Sequence, residues 1–252
     1  WTAGLDFEPR FLPGAKLTLT YFDIRYRDRI GSANFDLFNF LIRRDLYGAI
    51  VSDNPAPAAV AALYAGPNFA NPAGYSQSQI GAIIDARTFN LSRATVRGLD
   101  FDLGMVRPLG AGRISLSLGG TRLLEIDSRI TDSAPRNNVV GVIGNPVRLR
   151  LRGRAGFTIG AFDGGLGINH VGGYRNTLVA PAERVKSWTT FDLQLGARIG
   201  KVEGRSLRLA LNVNNLTDKA PPYVQFRTTN SALGYDPEQA NAIGRTMALQ
   251  AV

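Results

Sequence analysis

The sequence predicts an all-β chain, part of an antiparallel up-and-down transmembrane β-barrel with about nine strands present, and three observations carry that prediction. Apolar and polar residues alternate at period two in one segment after another, the pattern of strands with one greasy and one wet face. The connections between those segments are by turns short and long, as in barrels with short periplasmic turns and long extracellular loops. No run approaches the roughly 18 apolar residues of a membrane helix. A barrel instead dilutes its membrane signal into alternating segments of about 10 residues.

A first strand from Ala3 to Arg10 puts Leu5 and Phe7 on one face and Asp6 and Glu8 on the other. Pro13-Gly14 turns the chain. Lys16 to Ile30 is rich in β-formers, but its phase is split: Leu17, Leu19 and Tyr21 share one face, and Phe22, Ile24 and Tyr26 the other. A bulge near Tyr21 would reconcile them. From Gly31 to Ala86 the alternation is lost, and a connection this long tends to be functional. Within it, Asn54-Pro55 followed by Ala58, Ala59, Val60, Ala61, Ala62 and Leu63 reads as a short helix capped by Asn54.

Strands then come in pairs. Leu99, Phe101, Leu103 and Met105 alternate with Asp100, Asp102 and Gly104; after Arg107 to Gly112, Ile114, Leu116 and Leu118 alternate with Ser115, Ser117 and Gly119. Glu125 to Asn145 is irregular. Val147, Leu149, Leu151, Ala155, Phe157 and Ile159 next alternate with Arg148, Arg150, Arg152, Arg154 and Thr158, and Asp163-Gly164-Gly165 signals a tight turn before Leu166 to Val171 returns. Gly172 to Lys186 is irregular, Phe191 to Ile199 alternates, and Gly200 to Arg205 turns into a strand carrying Leu207, Leu209, Leu211 and Val213. Paired Pro221-Pro222 stop the ladder, and Gly244 to Val252 alternates again. With the long connections outside, the last strand runs down towards the periplasm.

The 252 residues include no cysteine and one histidine, His170, which leaves no disulfide framework, thiolate site or multi-histidine metal site. No cofactor is expected. The formal charge of +9, from 29 Lys+Arg against 20 Asp+Glu, fits nucleic acid, anionic lipid or an anionic substrate. The interleaved aromatics and basic stripe of a nucleic-acid binder are missing, so that partner is not expected. The chain opens directly on a strand-like segment at Trp1, and it is expected to be part of something longer.

Arg148, Arg150, Arg152 and Arg154 share one strand face, opposite Val147, Leu149, Leu151 and Phe157. An arginine on the lipid side at mid-bilayer costs about 2–4 kcal/mol, so the four are expected to face the lumen. There they would form a solvated or salt-bridged wall, or contact a plug domain or an anionic solute. Asp100 and Asp102 face inward by the same logic, as do Asp6, Glu8 and Asp192. Two carboxylates two residues apart suggest an acid–base pair, but without a partner histidine, metal cluster or nucleophile elbow a charge network with the arginines is expected, and catalysis is not. Tyr64, Phe69 and Tyr75 in the longest connection, with Tyr174 in a later one, either line a ligand vestibule or pack the loops' own cores. Trp188, Phe157 and Phe162 near strand ends fit aromatic girdles or ordinary strand composition.

Asn214-Asn215-Leu216, then Asp218 and Pro221-Pro222-Tyr223, with Gly244-Arg245-Thr246 opening the last strand, resemble the C-terminal end of TonB-dependent outer-membrane receptors. The resemblance implies a location in the bacterial outer membrane, in contact with its lipid. It also implies a plugged barrel of roughly 22 strands, which binds a scarce nutrient such as a ferric siderophore and imports it with energy delivered through TonB. Residues 1–252 would then be the C-terminal part of one barrel domain, whose plug and remaining strands lie N-terminal to it. Such barrels usually end on an aromatic, whereas this sequence stops at Val252. The alternative is a passive porin-like channel or surface-binding barrel without an energised cycle. An open half-barrel leaves a lipid-facing surface and two unpaired edges, so these residues are expected to be only part of the folded unit.

Overall fold

A computed structural model describes residues 1–31, 40–87, 89–129, 136–202, 205–226 and 233–251. Parts of the predicted long connections, two residues of the predicted turn before Leu207, and the final Val252 lie outside the described residues. The strands are β1 (Thr2–Phe7), β2 (Ala15–Gly31), β3 (Val51–Asp53), β4 (Ala82–Ile84), β5 (Phe89–Leu109), β6 (Gly112–Arg129), β7 (Leu149–Ile159), β8 (Phe162–Val171), β9 (Tyr174–Asn176), β10 (Glu183–Val185), β11 (Trp188–Val202), β12 (Arg205–Asn214) and β13 (Thr246–Ala251). Two short helices, α1 (Arg44–Tyr47) and α2 (Pro57–Tyr64), lie between β2 and β5. Nine strands form one sheet in the order β1-β2-β5-β6-β7-β8-β11-β12-β13, while β3 pairs with β4 and β9 with β10. Each strand of the large sheet lies beside its predecessor in the chain, the up-and-down order of a barrel wall.

The chain divides into two compact units: Trp1–Ile24, Val96–Glu125 and Val139–Val252 form the first, and Arg25–Thr95 with Ile126–Asn138 the second. In the first, the strand registers line side chains up in rows. Leu116, Ala155, Leu166, Leu193, Val213 and Met247 oppose one another across six strands, and Ile114, Phe157, Gly164, Leu195, Leu211 and Leu249 make the next row. On the other face run Ser117, Arg154, Gly167 and Asp192, and then Ser115, Gly156, Gly165, Gln194 and Asn212. Many of these apolar side chains stay exposed, with Leu166 at 43% and Leu249 at 76%, as expected of a lipid-facing surface, while Val213 at 4% is buried. From Leu151 to Ile159 the apolar rows span about 27 Å along the strand. At a tilt of 35–45° that is about 20 Å of membrane depth, close to the band such barrels present.

Register explains where the sequence reading went astray. The expected turn at Asp163-Gly164-Gly165 is strand β8, and the chain turns at Gly160 and Ala161 instead. Gly164 is needed for packing: a Cβ there would meet the Phe157 ring at 2.5 Å. The expected bulge near Tyr21 is absent, since β1 and β2 pair evenly from Thr2↔Phe22 to Phe7↔Leu17. Phe22 lies over Gly98, whose missing side chain makes room for the ring. Helix α2 exists, but its cap is Ala56 with no side-chain hydrogen bond and Pro57 opens it. Asn54 instead sits in the left-handed region at φ 47° and ends β3.

Segments that read as irregular carry a core of their own. Ile143, Val147, Tyr174, Val185 and Val224 are buried together, with Val171 and Phe226 packed against them. Backbone bonds tie the same segments: the Arg175 amide donates to Gly141 O at 2.8 Å and the Ile143 amide to Arg175 O at 2.9 Å. Asn176, fully buried, donates to Gln225 O at 3.3 Å and accepts from the Leu178 amide at 3.1 Å. Three long connections are thereby packed into one body. In the second unit, Phe40, Tyr47 and Ile50 form a separate small core.

Candidate functional site

Strand alternation places Arg150, Arg152 and Arg154 of β7 on the polar face, opposite Thr121, Gly119 and Ser117 of β6. Each arginine has a different environment. Arg150 donates to Gln239 Oε1 at 2.7 Å, a contact across 89 residues of sequence. Arg154 donates to Gln194 Oε1, its guanidinium lying flat over Gly165, where a Cβ would come within 3.1 Å of Nε. Arg152, between them, has no hydrogen-bond or ion-pair partner among the described residues. Arg148 precedes the strand: its carbonyl accepts the Leu123 amide at 2.9 Å, while its side chain runs along Gly141.

Asp100 accepts the Thr121 hydroxyl at 2.6 Å. Asp102 leans over Gly119, its Oδ2 3.0 Å from where a Cβ would stand. Asp192 accepts Asn169 Nδ2 and the Asn215 amide, each at 2.8 Å, and Asp6 pairs with Lys16 at 3.2 Å. The two aspartates of β5 therefore lie in a polar wall, with no imidazole beside them. The single imidazole, His170, bonds Thr189 Oγ1 at 2.8 Å in the row of Leu151, on the opposite face.

The polar wall borders an open cavity of about 790 Å³, lined by Asp102, Thr121, Arg150, Arg152, Asn145 and Glu238. Gln239 also lines it, so the last long connection reaches down onto β7. No local sequence signal marks Gln239, Glu238 or the Asp163–Arg208 pair at 2.7 Å, because their partners are distant in sequence. The motif residues have a visible task. Asn215 Oδ1 accepts the Lys219 amide at 2.9 Å and Asp218 Oδ1 the Arg245 amide at 2.8 Å, clasping the end of β12 to the approach of β13.

The aromatic candidates divide. Tyr64 and Phe69 stack with centroids 4.2 Å apart and the Tyr64 hydroxyl donates to Tyr75 O at 2.8 Å, so these residues pack within their own loop, while Phe69 and Tyr75 both keep exposed surface. Tyr174 belongs to the loop core and is buried, which takes it off any open vestibule surface. Trp188 shares the parity of Asp192 and donates to Lys219 O at 3.2 Å, on the polar side and away from a lipid girdle. Phe157 and Phe162 are on the apolar face, next to Ile159 and Leu195.

Burial, and then the approach of the Asp236 carboxylate, push the Tyr174 phenol above the ordinary tyrosine value of 10.0. Asp236 is itself buried, and its Oδ2 lacks a partner of full hydrogen-bond geometry among the described residues. A pKa raised in the folded state gives stability that is complete below 10.0 and is lost as pH rises beyond it. Protease cleavage within residues 172–187 is accordingly expected to accelerate above that pH. In Tyr174→Phe this alkaline step disappears; a phenolate absorbance titration in which Tyr174 ionises together with the exposed tyrosines would contradict the assignment.

The family described as TonB dependent receptor-like, beta-barrel matches residues 1–216. Among solved structures, the ferric enterobactin receptor PfeA of Pseudomonas aeruginosa, as a point mutant, is 16% identical with a TM-score of 0.53, over 99% of this chain and 30% of that one. The ferripyoverdine receptor of the outer membrane of Pseudomonas aeruginosa, bound to ferripyoverdine, is 17% identical with a TM-score of 0.46, over 82% of this chain and 22% of that one. The chain thus spans less than a third of either structure. No curated sequence matches it. The family comprises receptors and transporters, not enzymes. With nine sequential antiparallel strands, one apolar and one polar face, and a family match over most of its length, the chain belongs to the TonB-dependent receptor β-barrels of the bacterial outer membrane.

Proposed function

We propose that the intact protein imports a scarce nutrient, such as a ferric siderophore or another large solute, in a cycle energised through TonB. Residues 1–252 form the C-terminal part of its barrel, and an N-terminal plug with further strands completes it. The observation that carries this reading is the arginine-bearing polar wall bordering an open cavity of about 790 Å³, large enough for a chelate-sized ligand. Arg148, Arg150, Arg152 and Arg154, with Asp100 and Asp102, serve as lumen wall for plug or solute, and exposed Tyr75 supplies an aromatic contact from the longest loop. The net charge of +9 supports an anionic solute. The fold shared with a ferric enterobactin receptor supports a chelated metal as cargo.

The test is uptake of radiolabelled iron, presented with a panel of siderophores, by cells whose only receptor is the intact protein. Uptake of one chelate is expected to vanish when TonB is deleted and to fall at least tenfold in Arg150→Gln/Arg152→Gln. Voltage-stable conductance in planar bilayers, together with entry that persists without TonB, would instead identify a passive channel.

A further inference from the structure

Segment 236–240 borders the cavity through Glu238 and Gln239 and is held by two different kinds of bond. At one end Asp236 is buried beside Tyr174, its Oδ1 accepting the Glu238 amide at 3.0 Å and its carbonyl the amides of Gln239 and Ala240 at 3.2 and 3.1 Å. That end is a folded turn anchored in the loop core. Among the described residues, one side-chain bond, Arg150 to Gln239, joins the segment to the strand wall. The turn is fixed and the side-chain bond is exchangeable.

We propose that Gln239 is a latch: an oxyanionic group entering the cavity takes Arg150 and Arg152 together, displaces the Gln239 amide, and frees the strap. This rests on the solute-binding reading above and adds to it a means by which binding is sensed by a loop. The argument is a comparison of acceptors. A carboxylate or phosphate-type oxygen adds the attraction of opposite charges to its bond with guanidinium, which a neutral amide oxygen does not, and can accept two parallel bonds. Arg150 and Arg152 stand one strand repeat apart on the same face, about 7 Å along β7. Arg152 has no partner to give up among the described residues, so an anion bridging the pair replaces one bond to a neutral acceptor with two to a charged one.

The strap's own charge works in the same direction. Glu238 lines the cavity next to Gln239 and is repelled by an anion seated on the arginines. Asp102, whose carboxylate lies against Gly119, also lines the cavity.

The intact receptor in detergent, carrying an environment-sensitive fluorophore at Ala242→Cys, tests this with citrate as the probe and sodium chloride of equal ionic strength as control. Citrate is expected to raise the mobility of the label, and chloride is not. Gln239→Glu gives the latch a charge-assisted bond and is expected to raise the half-effective citrate concentration at least tenfold. Gln239→Ala is expected to show the released signal without citrate, and Arg152→Gln to lose the citrate response with the strap still latched.

A label signal that citrate leaves unchanged in the wild type, or a Gln239→Glu variant that responds at the wild-type concentration, overturns the latch. Iron uptake by the same cells separates the two readings. Normal TonB-dependent uptake with an unresponsive strap removes the latch alone, while a responsive strap without uptake of any chelate removes the transport assignment alone.

Discussion

Replacing Leu166 by arginine in the intact receptor is expected to lower folding stability by about 2–4 kcal/mol, the cost of an arginine near the bilayer midplane. Leu166 stands in the middle of the apolar rows, between Ala155 and Leu193, with 43% of its surface open on the lipid side. The guanidinium there can reach water only by thinning the bilayer or by bending along a strand far longer than its own reach. Asn212→Arg, in the polar row with Gln194, is the matched control, expected to change stability by no more than about 0.5 kcal/mol. Urea unfolding of the receptor from lipid vesicles measures both. The reverse order, with Asn212→Arg costly and Leu166→Arg mild, would mean that the two faces had been exchanged, the outcome of a one-residue slip in register.

Removing Arg97 is the second large effect. Its Nε lies 3.1 Å from Asp23 Oδ2 and its Nη1 2.7 Å from Glu125 Oε2, so one guanidinium on β5 joins carboxylates from β2 and β6. The Asp23 side chain is only 4% exposed and Glu125 22%. Arg97→Ala leaves two carboxylates close together with the shared cation gone, at a cost of about 3 kcal/mol after allowing for the partial exposure of Arg97. The triple variant Asp23→Asn/Arg97→Met/Glu125→Gln is expected to recover most of that loss, since neutral groups need no countercharge. If the triple variant is as unstable as Arg97→Ala, the loss comes from packing of the arginine stem and not from stranded charge.

What the sequence discloses is what local period discloses. Leu207, Leu209, Leu211 and Val213 announce a strand without help from any partner, and so does the arginine series of β7. The nine sheet strands and the sequence of short and long connections follow from the same signal. Asp163-Gly164-Gly165 misleads because its glycines answer to Phe157 and Arg154 on the neighbouring strand, and only the register reveals that. The small strands β9 and β10 escape notice since three residues hold too little pattern to register as alternation. Arg150 can be placed on a face from its neighbours alone. Its bond to Gln239, 89 positions away, cannot, and neither can the buried state of Tyr174, which depends on Val185 and Val224 arriving from elsewhere in the chain.

The shared core of the three long connections bears on how the cell surface changes over generations. Outer-membrane proteins are targets for antibodies and phages, and escape comes by altering exposed side chains. Here Asn176 and Val185 of one connection and Val224 of another are each nearly or wholly sealed. A change at any of them disturbs the other connections with it. Escape substitutions should therefore accumulate at the tip between β9 and β10, where Leu178 is 61% exposed. What an antibody recognises on this surface is a composite of three distant stretches of sequence, which no single linear peptide reproduces.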